Sequence, residues 1–271
     1  MVLGIDIGGS KINFVLLASP AGGLKNQKIL KREKVATPQK RAEIIGLLTG
    51  EIKKFKVQKA GIGVPGPLNK KGDLILNPPN LKALWNCPLA KIIEKETGIK
   101  TKMDNDANCF ALAETLLGAG KGAEIVFGIT LGTGVGGGLV IDGKIYRGAF
   151  GSAGEAGHMT IKFDGPRCTC GSSGCLEEYA SERFFRKRGL RYNEYGRYLG
   201  IGLSNVINLF DPQVIVIGGG ISSSYQDFIQ IARKEMAIRV ISPLSKKYVK
   251  IKKAALGEWA GAAGAALLHY A

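Results

Sequence analysis

Three cysteines fall within eight residues in Cys168-Thr-Cys170-Gly-Ser-Ser-Gly-Cys175, and one of the chain's two histidines, His158, stands ten residues upstream. The C-x-C-x4-C pattern lacks the C-x-x-C spacing of a thioredoxin-type redox pair, and an extracellular disulfide does not suit a chain without a convincing secretory leader. Three thiolates and one imidazole complete the ligand set of a closed tetrahedral zinc site; buried free thiols are the other reading. A closed site does no chemistry itself, so its purpose is to fix its neighbours. Those neighbours are Glu155, three residues before His158, and Glu177, two residues after Cys175. A metal clip would hold both carboxylates on one wall, an arrangement suited to sugar hydroxyls, and the second ring nitrogen of His158 can join them.

A second group is Asp104-Asn105-Asp106, where a strand gives way to a helix. Asp106 serves there either as a helix N-cap or as a carboxylate aimed at a ligand. Asn105 and Asp106 together present an amide and a carboxylate to a vicinal diol. Asp104 is expected to raise the proton affinity of Asp106 if the two side chains converge.

Glycine-rich turns form the third group: Gly8-Gly9, the run from Gly132 to Gly138, and Gly218-Gly219-Gly220. Any one of these can simply turn a corner, but three of them, with hydroxyls or a carboxylate beside them, can cradle phosphates with backbone amides. Ser10, Lys11 and Thr133 then approach phosphate oxygens, and Asp6 holds Mg²⁺ through water. Gly132-Thr-Gly134-Val-Gly-Gly137 satisfies G-x-G-x-x-G, yet the residues after it read as a strand rather than the helix a dinucleotide fingerprint requires. Gly118-Ala-Gly-Lys-Gly122 fails as a P-loop, because Gly122 occupies the Ser/Thr position and Thr115 the first glycine's.

The elements that must position these groups follow from periodicity. Residues 2–17 read as a hairpin whose first strand is buried, followed by a helix over 42–55, a strand into Gly66, a helix ended by Gly98, a strand at 100–103 and a helix from Asp106. From Ile125 the pattern is β, with Asp142-Gly143 as a tight turn. Helices follow around 177–187 and 194–210, then a strand into Gly218, a helix near 224–240, a strand at 248–256 and a closing helix. Two β-then-α blocks, each opening with a glycine-turned hairpin, suggest an α/β protein of two similar lobes with a cleft between them. The expected division is 1–117 plus 258–271 for the smaller lobe and 118–257 for the larger.

The chain has 271 residues, enough for a substantial core, and a formal charge of +16. Its lysines are dispersed among apolar residues, with no recognition helix, basic arm or RNA-binding aromatic motif, so a solvated basic surface is expected and no nucleic-acid partner. No window reaches the ~18 apolar residues of a membrane span, and a cytoplasmic protein is the default.

Taken in order, GIDIGGSKI, GVPGP, NDAN, LGTGVGGG, GEAGH, CTCGSSGCLE and VIVIGGG closely resemble the ROK family of bacterial sugar kinases and repressors, its glucokinases in particular. The cysteine run carries most of that specificity, while the first glycine turn alone indicates the wider actin-like ATPase superfamily. The resemblance implies a two-lobed actin-like (ribonuclease H-like) fold with a central inter-lobe cleft and ATP-dependent phosphorylation of a hexose, with Mg²⁺ and a structural Zn²⁺. It assigns Asp106 as the base for the sugar's 6-hydroxyl and places Gly66, Asn105, Glu155, His158 and Glu177 at the sugar. Zinc falls to His158, Cys168, Cys170 and Cys175; phosphates to the 6–11 and 132–134 loops; adenosine to Gly218, Gly219 and Gly220. A homodimer is usual in the family. Members acting on N-acetylmannosamine, N-acetylglucosamine or fructose share these motifs. A sugar-responsive repressor carries an N-terminal helix-turn-helix domain, for which a hairpin starting at residue 2 leaves no room.

Overall fold

The computed structural model describes residues 1–18, 27–78 and 80–271. The first sheet has the order β3-β2-β1-β4-β5, formed by β1 (Val2–Ile7), β2 (Lys11–Leu17), β3 (Ile29–Ala36), β4 (Lys59–Val64) and β5 (Lys100–Asn105). β1 is central and pairs antiparallel to β2 and parallel to β4, which pairs parallel to β5. Its run Val-Leu-Gly-Ile-Asp-Ile is apolar on both faces because helices cover both. On one side α1 (Arg41–Phe55) and α2 (Leu89–Thr97) place Ile44, Leu48, Ile52, Leu89 and Ile93 against Leu3, Ile5 and Ile62.

The second sheet repeats the arrangement as β10-β9-β6-β7-β8, from β6 (Ile125–Leu131), β7 (Val135–Ile141), β8 (Lys144–Ile145), β9 (Val214–Gly218) and β10 (Lys250–Lys253). β6 again sits between an antiparallel neighbour, β7, and a parallel one, β9. The expected duplication is therefore real at the level of strand order, and α/β is the class. α6 (Tyr192–Phe210) and α7 (Tyr225–Arg239) cover its outer face through Leu199, Leu203, Phe228 and Ile229.

Between the sheets lie α3 (Asp106–Leu116) and α9 (Ala260–Leu267), whose buried residues join Val2, Val15, Val126, Val140 and Val216 in one cluster spanning both halves. α9 reads Ala-Gly-Ala-Ala-Gly-Ala-Ala-Leu because nothing larger fits: a Cβ on Gly264 would strike the Cys109 carbonyl of α3, and one on Gly4 the Ala262 carbonyl. Overpacking of this kind costs about 1–3 kcal/mol. The chain crosses between the sheets at 117–124 and at 254–259, and both crossings hydrogen-bond to one fully buried carboxylate. Glu114 accepts from the Ala119 amide at 2.8 Å, the Ala255 amide at 3.1 Å and the Leu256 amide at 2.8 Å.

Three elements differ from the sequence reading. β3 is an edge strand, mostly exposed, so its apolar alternation is drowned by Lys and Arg. The single helix expected over 177–187 is two, α4 (Glu177–Ala180) and α5 (Glu182–Arg188), because Ser181 turns extended and its hydroxyl caps the Phe184 amide. α8 (Pro243–Tyr248) buries no residue and so shows no periodicity. The apolar run from Lys11 is β2, and its continuation over 19–26 lies outside the described residues. Among the described residues no helix is long and apolar enough to cross a membrane.

Candidate active site

The carboxyl ends of parallel strands are where α/β sheets hold ligands, and here they collect the acidic residues. Asp6 pairs in register with Gly63, and Gly63 with Asp104; one step on, Val64 pairs with Asn105. At the end of β5 the chain turns into α3, and the N-cap is Asn105, not Asp106. The Asn105 side-chain oxygen accepts from the amides of Ala107, at 2.9 Å, and Asn108, at 3.2 Å. Its Nδ2 donates to the carbonyl of Gly66, which sits at φ 85°, bringing two of the expected sugar-side residues together. Asp106, the first residue of α3, is left without the capping role, and its Oδ1 accepts the Ala107 amide at 2.8 Å.

Burial drives the Asp106 carboxyl up to about 6, opposed by the Ala107 amide and assisted by the negative charge of Glu155. Asp6 is pushed to about 7, first by burial and then by Asp106 across from it, with Lys11 pulling the other way. No hydrogen bond to the Asp6 carboxylate is formed among the described residues. Glu155 still reaches solvent, but surrounding protein raises its carboxyl, Glu177 adds to the effect and His158 opposes it. Asp6, Asp106, Glu155, His158 and Glu177 therefore form one chain of electrostatic contacts across the two sheets. Asp104 does not raise Asp106 as expected. It is buried and engaged elsewhere, by Arg147, Asn108 Nδ2 and the Asn105 amide.

The quartet His158, Cys168, Cys170 and Cys175 is assembled as read, its ligand atoms all within 4.8 Å of one another. Cys170 and Cys175 sulfurs are 3.7 Å apart, and His158 Nδ1 is 3.8 Å from the Cys168 sulfur. Tetrahedral Zn–S bonds of about 2.3 Å separate sulfurs by about 3.8 Å, so the donor set fits zinc. Burial raises Cys168 and takes Cys175 to about 12, while the Ser172 amide lowers Cys170. Three such thiols do not ionise together without a cation among them. Glycine makes the knuckle possible: Gly171 and Gly174 take φ of 99° and 67°, and a Cβ on Gly174 would collide with the Lys162 carbonyl. The Leu176 amide donates to the Met159 carbonyl at 2.9 Å, tying the Glu177 end of the knuckle to the turn of Glu155 and His158.

Glu177 has a use the sequence did not show. Its Oε2 accepts the Val135 amide at 2.9 Å, holding the 132–134 turn. The Glu182 amide donates to the Gly132 carbonyl at 2.7 Å on the other side of that turn. Gly219, at φ 86°, lies against Leu131, and Gly220 against the Glu182 carboxylate, so the 132–134 and 218–220 loops share one corner. Gly132 faces open space. In the 8–10 turn, the Thr37 hydroxyl donates to the Gly8 carbonyl and the Thr37 amide to that of Ser10, a support without a sequence signature. Ser10 is exposed. The Lys11 ammonium pairs with Glu258 at 2.8 Å, both side chains being about half exposed.

Two similar sheets around a pair of shared helices, with carboxylates and glycine turns at their strand ends, define the actin-like ATPase class. The ROK family profile matches residues 2–194 and 189–271, and the chain belongs to that family. It is 31% identical to a glucokinase of Streptomyces coelicolor over 98% of this chain and 96% of that one. It is 32% identical to an N-acetyl-D-glucosamine kinase of Vibrio cholerae over 99% of each. A crystal structure of a ROK family glucokinase from Streptomyces griseus, in complex with glucose and AMPPNP, superposes with a TM-score of 0.83 at 31% identity over 98% of each chain.

Proposed function

We propose that the chain is an ATP-dependent hexose kinase that phosphorylates the 6-hydroxyl, with glucose the first acceptor to expect. The observation that carries this reading is the place of Asp106, first residue of α3 with Asn105 as the cap, its carboxyl raised by burial and by the charge of Glu155 across from it. Phosphoryl transfer asks a protein for positioning and charge neutralisation more than covalent chemistry. Asp106 takes the hydroxyl proton as the oxygen attacks the γ-phosphorus and the bond from that phosphorus to the β–γ bridging oxygen breaks, releasing ADP. Gly66, Asn105, Glu155, His158 and Glu177 hold the sugar, with Glu177 dividing its oxygens between sugar and the 132–134 turn. The 8–11 and 132–134 turns receive the phosphates, and Gly218, Gly219 and Gly220 receive the adenosine. Asp6, desolvated and short of donors, fits a hydrated Mg²⁺, which would supply charge neutralisation at the phosphates. Zinc on His158, Cys168, Cys170 and Cys175 would hold the sugar-side wall.

The lobes are taken as 1–117 with 258–271, and 118–257, in a cytoplasmic homodimer. Apolar Leu209, Ile238, Ile241 and Leu244, exposed at neighbouring ends of α6 and α7, in the connection after α7 and on α8, support pairing of two copies. The likeness to an N-acetyl-D-glucosamine kinase supports an amino sugar as the second reading of the acceptor.

The test is ADP release from ATP–Mg²⁺ with glucose, mannose, fructose, allose, N-acetylglucosamine and N-acetylmannosamine. One preferred sugar is expected, with Asp106→Asn lowering kcat by about 10²–10⁴ while sugar and nucleotide still bind. Turnover retained in that variant would remove the base assignment.

A further inference from the structure

Arg147 lies just past β8, outside every motif that drew attention in the sequence, at the head of the loop that ends in Glu155. Its side chain reaches from the second sheet's connection to the first sheet's β5. Nε donates to Asp104 Oδ2 at 2.7 Å, and Nη2 lies 2.6 Å from the same oxygen. The other oxygen, Oδ1, accepts the Asn105 amide at 2.8 Å and Asn108 Nδ2 at 2.9 Å, so it holds the first turn of α3, where Asp106 sits. The Arg147 carbonyl accepts the Ala153 amide at 3.1 Å and closes the loop before Glu155. That loop has Gly148, Gly151 and Gly154 at positive φ and no helix or strand of its own before Glu155, so this closure is one of its few internal ties.

One residue thus grips, through its side chain, the turn carrying Asp106 and, through its backbone, the loop carrying Glu155. We propose that Arg147 is a positioning residue that sets the separation of Asp106 and Glu155, and so aligns the acceptor hydroxyl on its base. The inference rests on the kinase reading above. Arginine suits the role because two N–H groups in a fixed plane converge on one oxygen, where a lysine offers a single point charge. The buried Asp104 carboxylate makes the contact obligatory: without the guanidinium it must find water or rotate, and rotation frees the Asn105 amide.

The experiment compares wild type, Arg147→Met, Arg147→Lys, Asp104→Asn and the Arg147→Met/Asp104→Asn pair. It reads kcat, both KM values, melting temperature, and amide hydrogen exchange over 104–108 and 148–155. Arg147→Met is expected to lower kcat by about 10²-fold, the usual consequence of a small misplacement of reacting groups, with ATP KM within about twofold. Exchange should quicken in both segments together, Arg147→Lys should restore part of kcat, and the pair should lose no more than the worse single variant. A lowered melting temperature with wild-type kcat, exchange that quickens in one segment only, or simply additive losses would each overturn it. If Arg147→Met does not fold, Arg147→Lys against Asp104→Asn carries the same comparisons. Should the wild type phosphorylate no sugar, the kinase reading fails, and the exchange data still decide the coupling of the two segments.

Discussion

The two sheets have the same strand order yet hold their functional groups by different means. In the first, regular structure does the placing. Asp6 is the penultimate residue of β1, Asn105 ends β5 and caps α3, and Asp106 is the first residue of that helix. In the second, Glu155 stands on a glycine-rich loop and Glu177 at the head of a four-residue helix, with the cysteine knuckle between them in sequence. Ladder hydrogen bonds and a packed core fix a strand end in the main, and a single side chain, Arg147 on Asp104, refers it to the other sheet. A long irregular connection must be fixed by something else, and a metal on the His158, Cys168, Cys170 and Cys175 quartet would do this where no core reaches.

The strongest way to break this contrast is to remove the metal. Cys170→Ser, or stripping with a strong chelator, should raise sugar KM by about tenfold or more while ATP KM moves less than about twofold. Metal analysis of the purified chain should find zinc in the wild type and its loss in the variant. Equal damage to both substrates would mean that the knuckle supports the fold generally.

A smaller effect sharpens the other side of the comparison. Asp6 and Asp106 are raised to about 7 and about 6 in the folded chain, from an ordinary 3.8. The folded state therefore binds these protons more tightly than the unfolded state, and their contribution to stability falls as pH rises from about 4 to about 7. Asp106→Asn should raise the melting temperature at pH 7 by about 2–4 °C, solvent in the open cleft leaving about 1 kcal/mol of the burden, with the gain gone near pH 4. Turnover by the wild type should fall as pH drops through about 6. An Asp106→Asn variant no more stable than the wild type at pH 7 would show that the carboxylate is not desolvated in the folded chain.

The smallest effect concerns Lys11. Its pair with Glu258 is half exposed, so Lys11→Ala should shift the melting temperature by less than about 2 °C. A rise in ATP KM beyond about tenfold would show that the ammonium leaves Glu258 for the nucleotide.

Legibility in the sequence divides along the same line. The quartet His158, Cys168, Cys170 and Cys175 could be read from residue type and spacing, because soft ligands in a short window have few other uses. The glycine turns could be read in number but not in partnership; nothing in the sequence tells that Glu177 holds Val135. At 104–106 the sequence put three polar residues on a strand-to-helix junction, where a one-residue difference changes which side chain caps the helix, and only the hydrogen bonds of Asn105 decide it. Asp104 and Arg147 are 43 residues apart and meet only because the sheets do. β3 and α8 escaped because elements that bury little leave no periodic trace.

Glu114 gives the paired lobes a property that neither has alone. The two passages of chain between them are more than a hundred residues apart in sequence, yet both end on the same carboxylate. Like the two blades of a pair of scissors, they are separate pieces held by one rivet. Lengthening or cutting either passage would therefore slacken the other, because both are referred to a single side chain at the base of the helix whose far end carries Asp106.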